Sequence, residues 1–148
     1  MTIQKNIQKV IDTLPEIMSD VMLTLANDAK ALIQRRVQQK GLNASGNPTP
    51  KYSESYAKRR QKKGRQINFM DLTDTGEMWR SIGVTNNRKE PNRTIVTVAG
   101  RDEFTQNKVN WNSTKQFEVL KLTKEEEVIL DEVFNELIGE KILTILNE

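Results

Sequence analysis

The sequence predicts an α+β domain, with long N-terminal and C-terminal helices around a small antiparallel β-sheet and an extended basic loop. Three observations carry this. Apolar residues recur at helical spacing through residues 3–37 and again through 128–146. A β-branched run with strand-like alternation occupies residues 94–98. The stretch 41–70 combines turn-forming Gly and Pro with a dense block of Lys and Arg. At 148 residues the chain is expected to form a single domain, 1–148.

The N-terminal stripe runs Ile3, Ile7, Val10, Ile11, Leu14, Ile17, Val21, Leu25, Ala29, Leu32, Ile33 and Val37, in steps of three and four. Pro15 interrupts it. Proline suits a first helical turn and clashes in an interior, so the expectation is a short helix followed by a second from about Pro15 to Lys40. One kinked helix is the alternative. Gly41 to Pro50 reads as turns. A short helix then follows, capped by Ser53 and ended by Gly64, with a cationic last turn that suits the helix dipole. Its polar composition leaves it little to bury, and 41–70 as a whole reads as a long, mobile excursion.

Leu72 to Ile82 reads as a helical turn capped by Asp74 or Thr75, with Leu72, Met78, Trp79 and Ile82 as packing or assembly anchors. Strands are expected at Ser81–Asn86 and Thr94–Gly100, joined by a turn at Lys89-Glu90-Pro91-Asn92. Residues 101–116 read as a polar, irregular loop with Phe104 and Trp111 as isolated anchors. Thr123-Lys124-Glu125-Glu126 has the capping-box form and opens the last helix. Gly139 weakens that helix by about 1 kcal/mol relative to Ala, and close packing would account for its presence.

Composition excludes several functions. The chain has no His and no Cys. Ser-His-Asp and Cys-His catalysis, thiolate or imidazole zinc sites and disulfides are therefore impossible within it. No glycine pattern of either standard nucleotide-binding kind occurs. Asp71, Asp74 and Glu77 are close enough in sequence to share a cation, but helix capping explains them more simply. No cofactor or metal is expected, and an enzyme built on this chain would need carboxylates, Lys, Tyr or Ser alone. No apolar run nears the ~18 residues of a membrane span, and no targeting segment is visible, so a soluble intracellular protein is expected.

Charge is unevenly distributed. The overall balance is 23 basic to 20 acidic side chains, a net of +3. Residues 41–70 carry seven basic and one acidic, a net of +6, whereas 117–148 carry three and nine, a net of −6. Such asymmetry points to a polyanionic partner or to self-association. Lys58, Arg59, Arg60, Lys62, Lys63 and Arg65 lie within eight residues, just after Tyr52 and Tyr56. Cations of this density neutralise phosphates, and a Tyr face can stack on a base. Three readings stay open: a solvated loop, a non-specific contact with DNA or RNA, and docking onto an acidic protein surface. For the third, the acidic C-terminal segment of another copy is a concrete partner, in a contact that could close a ring.

The order of these segments resembles a family. Arg35-Arg36-Val37 ends the N-terminal helix, a Gly/Pro-rich loop follows, and then Tyr52-Ser53-Glu54-Ser55-Tyr56-Ala57-Lys58-Arg59-Arg60. After it stands Asp71-Leu72-Thr73-Asp74-Thr75-Gly76-Glu77-Met78-Trp79-Arg80-Ser81-Ile82. Together with Leu120 to Glu126 before the last helix, this is similar to the virion-morphogenesis, or tail-completion, proteins of tailed bacteriophages. Their typical Leu-Thr-x-Thr-Gly stretch, ending in Ser-Ile, matches Leu72 to Ile82. Lys115-Gln116-Phe117 departs from the Arg-Pro pair often found there, and 101–114 has no counterpart. The resemblance implies a non-enzymatic structural protein of the virion, present in the host cytoplasm during assembly. It would oligomerise, often as a ring, and dock to other head–tail junction proteins as a tail terminator, head-closure ring or other neck component. The alternative is a small nucleic-acid-binding accessory protein using residues 51–65.

Overall fold

The computed structural model describes residues 3–90, 93–115 and 118–147. Helix α1 (Ile3–Arg35) is the spine of the fold and continues into a π-helical turn at Arg36–Lys40. Pro15 lies inside α1 rather than at the start of a second helix. Proline removes one backbone hydrogen bond and costs roughly 3 kcal/mol in a helix interior. The apolar stripe continues in phase on both sides of it, and the helix runs through the proline. Ile17, Val21 and Leu25, all C-terminal to Pro15, are buried against helix α5 (Lys124–Leu146).

Helix α5 runs antiparallel to α1. Arg36 near one end of α1 pairs with Glu126, Asp20 with Lys141 at 3.8 Å, and Asn6 donates to the Leu146 carbonyl at 3.0 Å. The capping box is present in both directions: Glu126 N–H donates to Thr123 Oγ1 at 3.2 Å, and Thr123 N–H donates to Glu126 Oε2 at 2.9 Å. Glu126 is also buried and pairs with Arg36, whose second terminal nitrogen donates to the Lys121 carbonyl at 3.0 Å. One carboxylate thus caps α5 and fastens it to the end of α1. Burial lowers the Arg36 pKa, and the nearby Glu126 charge opposes that effect.

Strands β1 (Ile82–Glu90) and β2 (Arg93–Gly100) form a two-stranded antiparallel sheet, with Ile82 opposite Gly100 and Glu90 opposite Arg93. The register shifts between Val84 and Asn86, leaving Thr85 as the extra residue of a bulge. Lys89 and Glu90 belong to the strand instead of the turn, and Pro91-Asn92 lie outside the described residues. An isolated hairpin is marginal in water and needs a packing partner. Here α1 supplies it: Asn87 donates to Ser19 Oγ at 2.9 Å and Lys89 reaches Glu16 at 3.4 Å.

The short helix expected within 41–70 is present, and one segment expected to be irregular also carries a helix. Within 41–70, helix α2 spans Glu54–Lys62, and the preceding turn is closed by Asn43 Oδ1, which accepts from Ser45 and Asn47 amides at 3.0 and 2.9 Å. Ser53 takes the N-cap position, but its side chain makes no capping bond. Residues 101–116 are not a loop through most of their length, because helix α4 occupies Glu103–Lys115. Asp102 starts it, accepting from the Thr105 amide at 2.7 Å and the Thr105 hydroxyl at 2.8 Å. These bonds hold the Asp102 pKa below the usual carboxylate range. Gln116 and Phe117 lie outside the described residues.

The main core gathers Ile33, Val37, Met78, Trp79, Ile82, Val109 and Val119. Gly100 is demanded by this packing, since a Cβ there would stand 2.5 Å from the backbone nitrogen of Gln106 in α4. Gly139 is different. A Cβ there would meet nothing within 4 Å, so close packing does not explain it. Gly139→Ala is expected to raise stability by about 0.5–1 kcal/mol through helix propensity, whereas Gly100→Ala is expected to lower it. Urea unfolding of both variants followed by circular dichroism checks the opposite signs.

Candidate interaction surface

The basic segment is built around a buried carboxylate. Asp71 Oδ1 accepts from the Tyr52 hydroxyl at 2.7 Å and the Thr73 amide at 2.8 Å. Its Oδ2 accepts from Arg60 Nη2 at 2.8 Å and Gln66 Nε2 at 2.6 Å. Its main-chain oxygen accepts from the Trp79 indole at 3.3 Å, and its amide donates to the Tyr52 oxygen at 3.0 Å. A buried charge is tolerable only when paired and hydrogen-bonded, and Asp71 is both.

Arg60 answers that charge from α2. It is 2% exposed. Nε donates to the Gln66 carbonyl at 2.9 Å, Nη1 to the Thr73 carbonyl, and the guanidinium lies 4.4 Å from the centre of the Tyr52 ring. The Tyr52 pKa is pushed above its ordinary value, first by burial and then by the bond to Asp71, so the phenol stays protonated as a donor. Leu72, next in the chain, has a left-handed φ of 54°, unfavourable for a side chain with a Cβ. It is held by packing against the main core and by the bonds flanking it at Asp71 and Thr73.

This arrangement divides the six cations singled out in the sequence. Arg60 is removed from any contact surface, because its guanidinium is committed to the interior. Arg65 is half-buried and pairs with Asp74, which Lys63 also approaches at 3.6 Å. Asp74 feels a desolvation that raises its carboxyl, but Lys63 and Arg65 outweigh it and the pKa falls below the usual range. Lys58, Arg59 and Lys62 are exposed on α2, and Arg59 sits 4.6 Å above the Tyr56 ring. Tyr52 and Tyr56 themselves pack with centroids 5.1 Å apart. The segment that appeared to have little to bury therefore buries an ion pair and two partly covered rings.

The expected anchors divide similarly. Met78, Trp79 and Ile82 are core residues and Leu72 packs against them. Trp111 is 59% exposed, on the outer side of α4 with Phe104, so neither serves as an inward anchor. Val109 and Thr105 take that place. Lys108 lies 3.9 Å over the Phe104 ring. Gly76 rather than Asp74 or Thr75 takes the N-cap position of helix α3 (Glu77–Ser81), although Thr75 Oγ1 does accept from the Glu77 amide at 3.3 Å. Asp71, Asp74 and Glu77 do not converge, and among the described residues no group of three or more His, Cys, Asp or Glu could hold a metal ion. A cleft of about 210 Å³ between α2 and α4, bordered by Tyr52, Tyr56, Glu77, Lys108 and Asn112, is smaller than typical small-molecule sites of roughly 300–1,000 Å³.

The second notable surface is apolar. On the N-terminal side of buried Ile17, Leu14 is 39% exposed, Ile11 56%, Ile7 49% and Ile3 79%. These four residues continue the stripe that α5 covers further along. No helix among the described residues is long and apolar enough to cross a membrane. Comparison of the chain with protein-family models, with curated proteins and with solved structures gave no match.

Breaking a buried ion pair by removing one partner costs roughly 3–5 kcal/mol. Asp71→Asn is accordingly expected to lower stability by about that amount and to quench the buried environment of Trp79 at lower urea concentration. Arg59→Ala, on the exposed side of the same helix, is expected to leave the urea midpoint almost unchanged. Tryptophan fluorescence during urea titration measures both.

Proposed function

We propose that this chain is a structural protein of a tailed-phage virion, acting without enzymatic chemistry at the head–tail junction in neck or tail completion. In this reading it is found in the virion, and in the host cytoplasm during assembly. It works by associating with copies of itself and by docking to neighbouring virion proteins. The observation that carries the docking role is the row Ile3, Ile7, Ile11 and Leu14 left uncovered on a helix whose continuation is buried. A contiguous exposed apolar patch rimmed by polar residues marks an interaction site. The phage assignment rests on the resemblance through Leu72–Ile82, and the structural part played by those residues supports it: Asp71, Leu72, Met78, Trp79 and Ile82 join the basic segment to the core.

Light scattering on the purified protein, alone and with portal, head-closure and tail-tube proteins of the same particle, tests this proposal. The expected result is a mass above the monomer or a stable complex with one of those components. A strict monomer that binds none of them would sink the reading.

One observation favours a second reading, a nucleic-acid-binding accessory role. Lys58, Arg59, Lys62 and Lys63 remain exposed, with Arg59 held against an aromatic ring. If duplex DNA is the partner, the logarithm of affinity falls with the logarithm of salt by about 0.9 per phosphate neutralised. Charge reversal at these four positions is then expected to flatten the slope measured by fluorescence anisotropy; an unchanged slope removes this reading.

A further inference from the structure

Helix α4 carries an outward stripe that takes no part in the core. Phe104, Lys108 and Trp111 are four and three residues apart, so at about 100° per residue they fall within an arc of about 60°. Phe104 is 64% exposed and Trp111 is exposed with it, while Thr105 and Val109 are buried. Lys108 lies over the Phe104 ring and also borders the cleft between α2 and α4. Tyr56 borders the same cleft from the α2 side, and the Arg59 guanidinium lies over its ring. Two cation–ring pairs therefore stand on opposite sides of one opening, with Trp111 one helical turn beyond Lys108.

This constellation is selective about its ligand. Arg59 and Lys108 attract an anion, and exposed rings offer faces on which another flat π system stacks. Charge also orients what enters. Asp74 and Glu77 border the cleft, which disfavours a phosphate inside it and leaves the cations to hold phosphates at the rim. The cleft, at about 210 Å³, is too small for a typical free ligand. A single base is only a fragment of its ligand, because the attached backbone binds outside. Bases of a duplex are already paired and stacked on one another, whereas those of a single strand can be splayed onto aromatic side chains. An acidic polypeptide would satisfy the two cations and leave the rings unused.

We propose that the α2–α4 cleft and the outward stripe of α4 bind single-stranded nucleic acid. One base enters the cleft beside Tyr56, its neighbours stack on Phe104 and Trp111, and Arg59 and Lys108 neutralise phosphates. This rests on the nucleic-acid reading given second above, extends its surface from α2 onto α4, and specifies the form of the ligand. Stacking is tolerant of base identity, so binding is expected to show little sequence preference.

Fluorescence anisotropy tests this with a labelled DNA single strand of about 12 nucleotides, the duplex of the same sequence, and labelled polyglutamate. The single strand is expected to bind at least about tenfold more tightly than the duplex. Phe104→Ala and Trp111→Ala are each expected to weaken single-strand binding about 5- to 150-fold, the effect of losing one base–aromatic stack. Trp111→Phe, which keeps a ring, is expected to retain most of the affinity. Lys108→Ala is expected to reduce the slope of log affinity against log salt by about 0.7, the single-strand value for one phosphate.

Intrinsic fluorescence gives a reading that needs no disruptive substitution. The chain has two tryptophans, and Trp79 is buried. Single-strand binding is expected to quench the unaltered protein, and the quenching is expected to vanish in Trp111→Phe. Circular dichroism melting shows whether each variant is folded, and the quenching decides the matter where an alanine variant is not. Equal affinity for duplex and single strand, or single-strand binding that neither alanine variant alters and that leaves Trp111 unquenched, would overturn the proposal while the nucleic-acid reading stood. Binding of neither form would remove both. Polyglutamate bound as tightly as the single strand would assign the surface to an acidic polypeptide and overturn the proposal.

Discussion

The Asp71 carboxylate holds the middle of this protein together. It lies between a basic helix and the hydrophobic core, and its oxygens and main-chain atoms bind Tyr52, Arg60, Gln66, Thr73 and Trp79. A carboxylate in such a place would be costly alone, and Arg60 would be equally costly without it. Together they turn a polar segment into a folded one: the pair draws α2 inward, the Tyr52 ring covers the guanidinium, and the Trp79 indole is oriented for the core. The left-handed backbone at Leu72 follows from the same arrangement, because residues on both sides of it are held by hydrogen bonds.

A second buried pair does related work at the other end of the core. Glu126 would cap α5 without any partner elsewhere, but its position against Arg36 links that cap to the π-helical turn closing α1. Gly41 ends this turn with a φ of 62° and donates to the Arg36 carbonyl, while Phe69 lies so close that a Cβ at Gly41 would come within 2.4 Å of its ring. The N-terminal helix, the connection after it and the C-terminal helix consequently meet at one place. What remains outward is segregated: exposed cations on α2, carboxylates on α5, and an apolar row at the start of α1. Each is a surface feature on an element whose other side packs against the rest of the molecule.

Local signals were sufficient for much of this. The stripe from Ile3 to Val37 identified a helical N-terminus, β-branched residues located β2, and Thr123 with Glu126 marked the start of α5. They failed where a local rule was overridden by distant packing. Pro15 suggested a helix start, but the chain before it stays helical alongside α5, where Asn6 reaches the Leu146 carbonyl. The segment 103–115 lacks an apolar stripe, so it read as irregular; Asp102 at its N-terminus and the close approach permitted by Gly100 were the available clues. Trp111 looked like an anchor because of its side chain alone, and its neighbour Val109 took the buried position.

By itself, then, the sequence determined the α+β class, the two long helices, the hairpin and the unequal distribution of charge, because each depends on periodicity or composition along the chain. Only the tertiary structure decided which charges are available. Arg59 and Arg60 are chemically identical neighbours, yet one is exposed over the partly covered Tyr56 ring and the other is sealed beneath Tyr52 against Asp71. A helix turns about 100° per residue, so adjacent side chains face different surroundings, and which direction meets a buried carboxylate is set by elements far away in sequence.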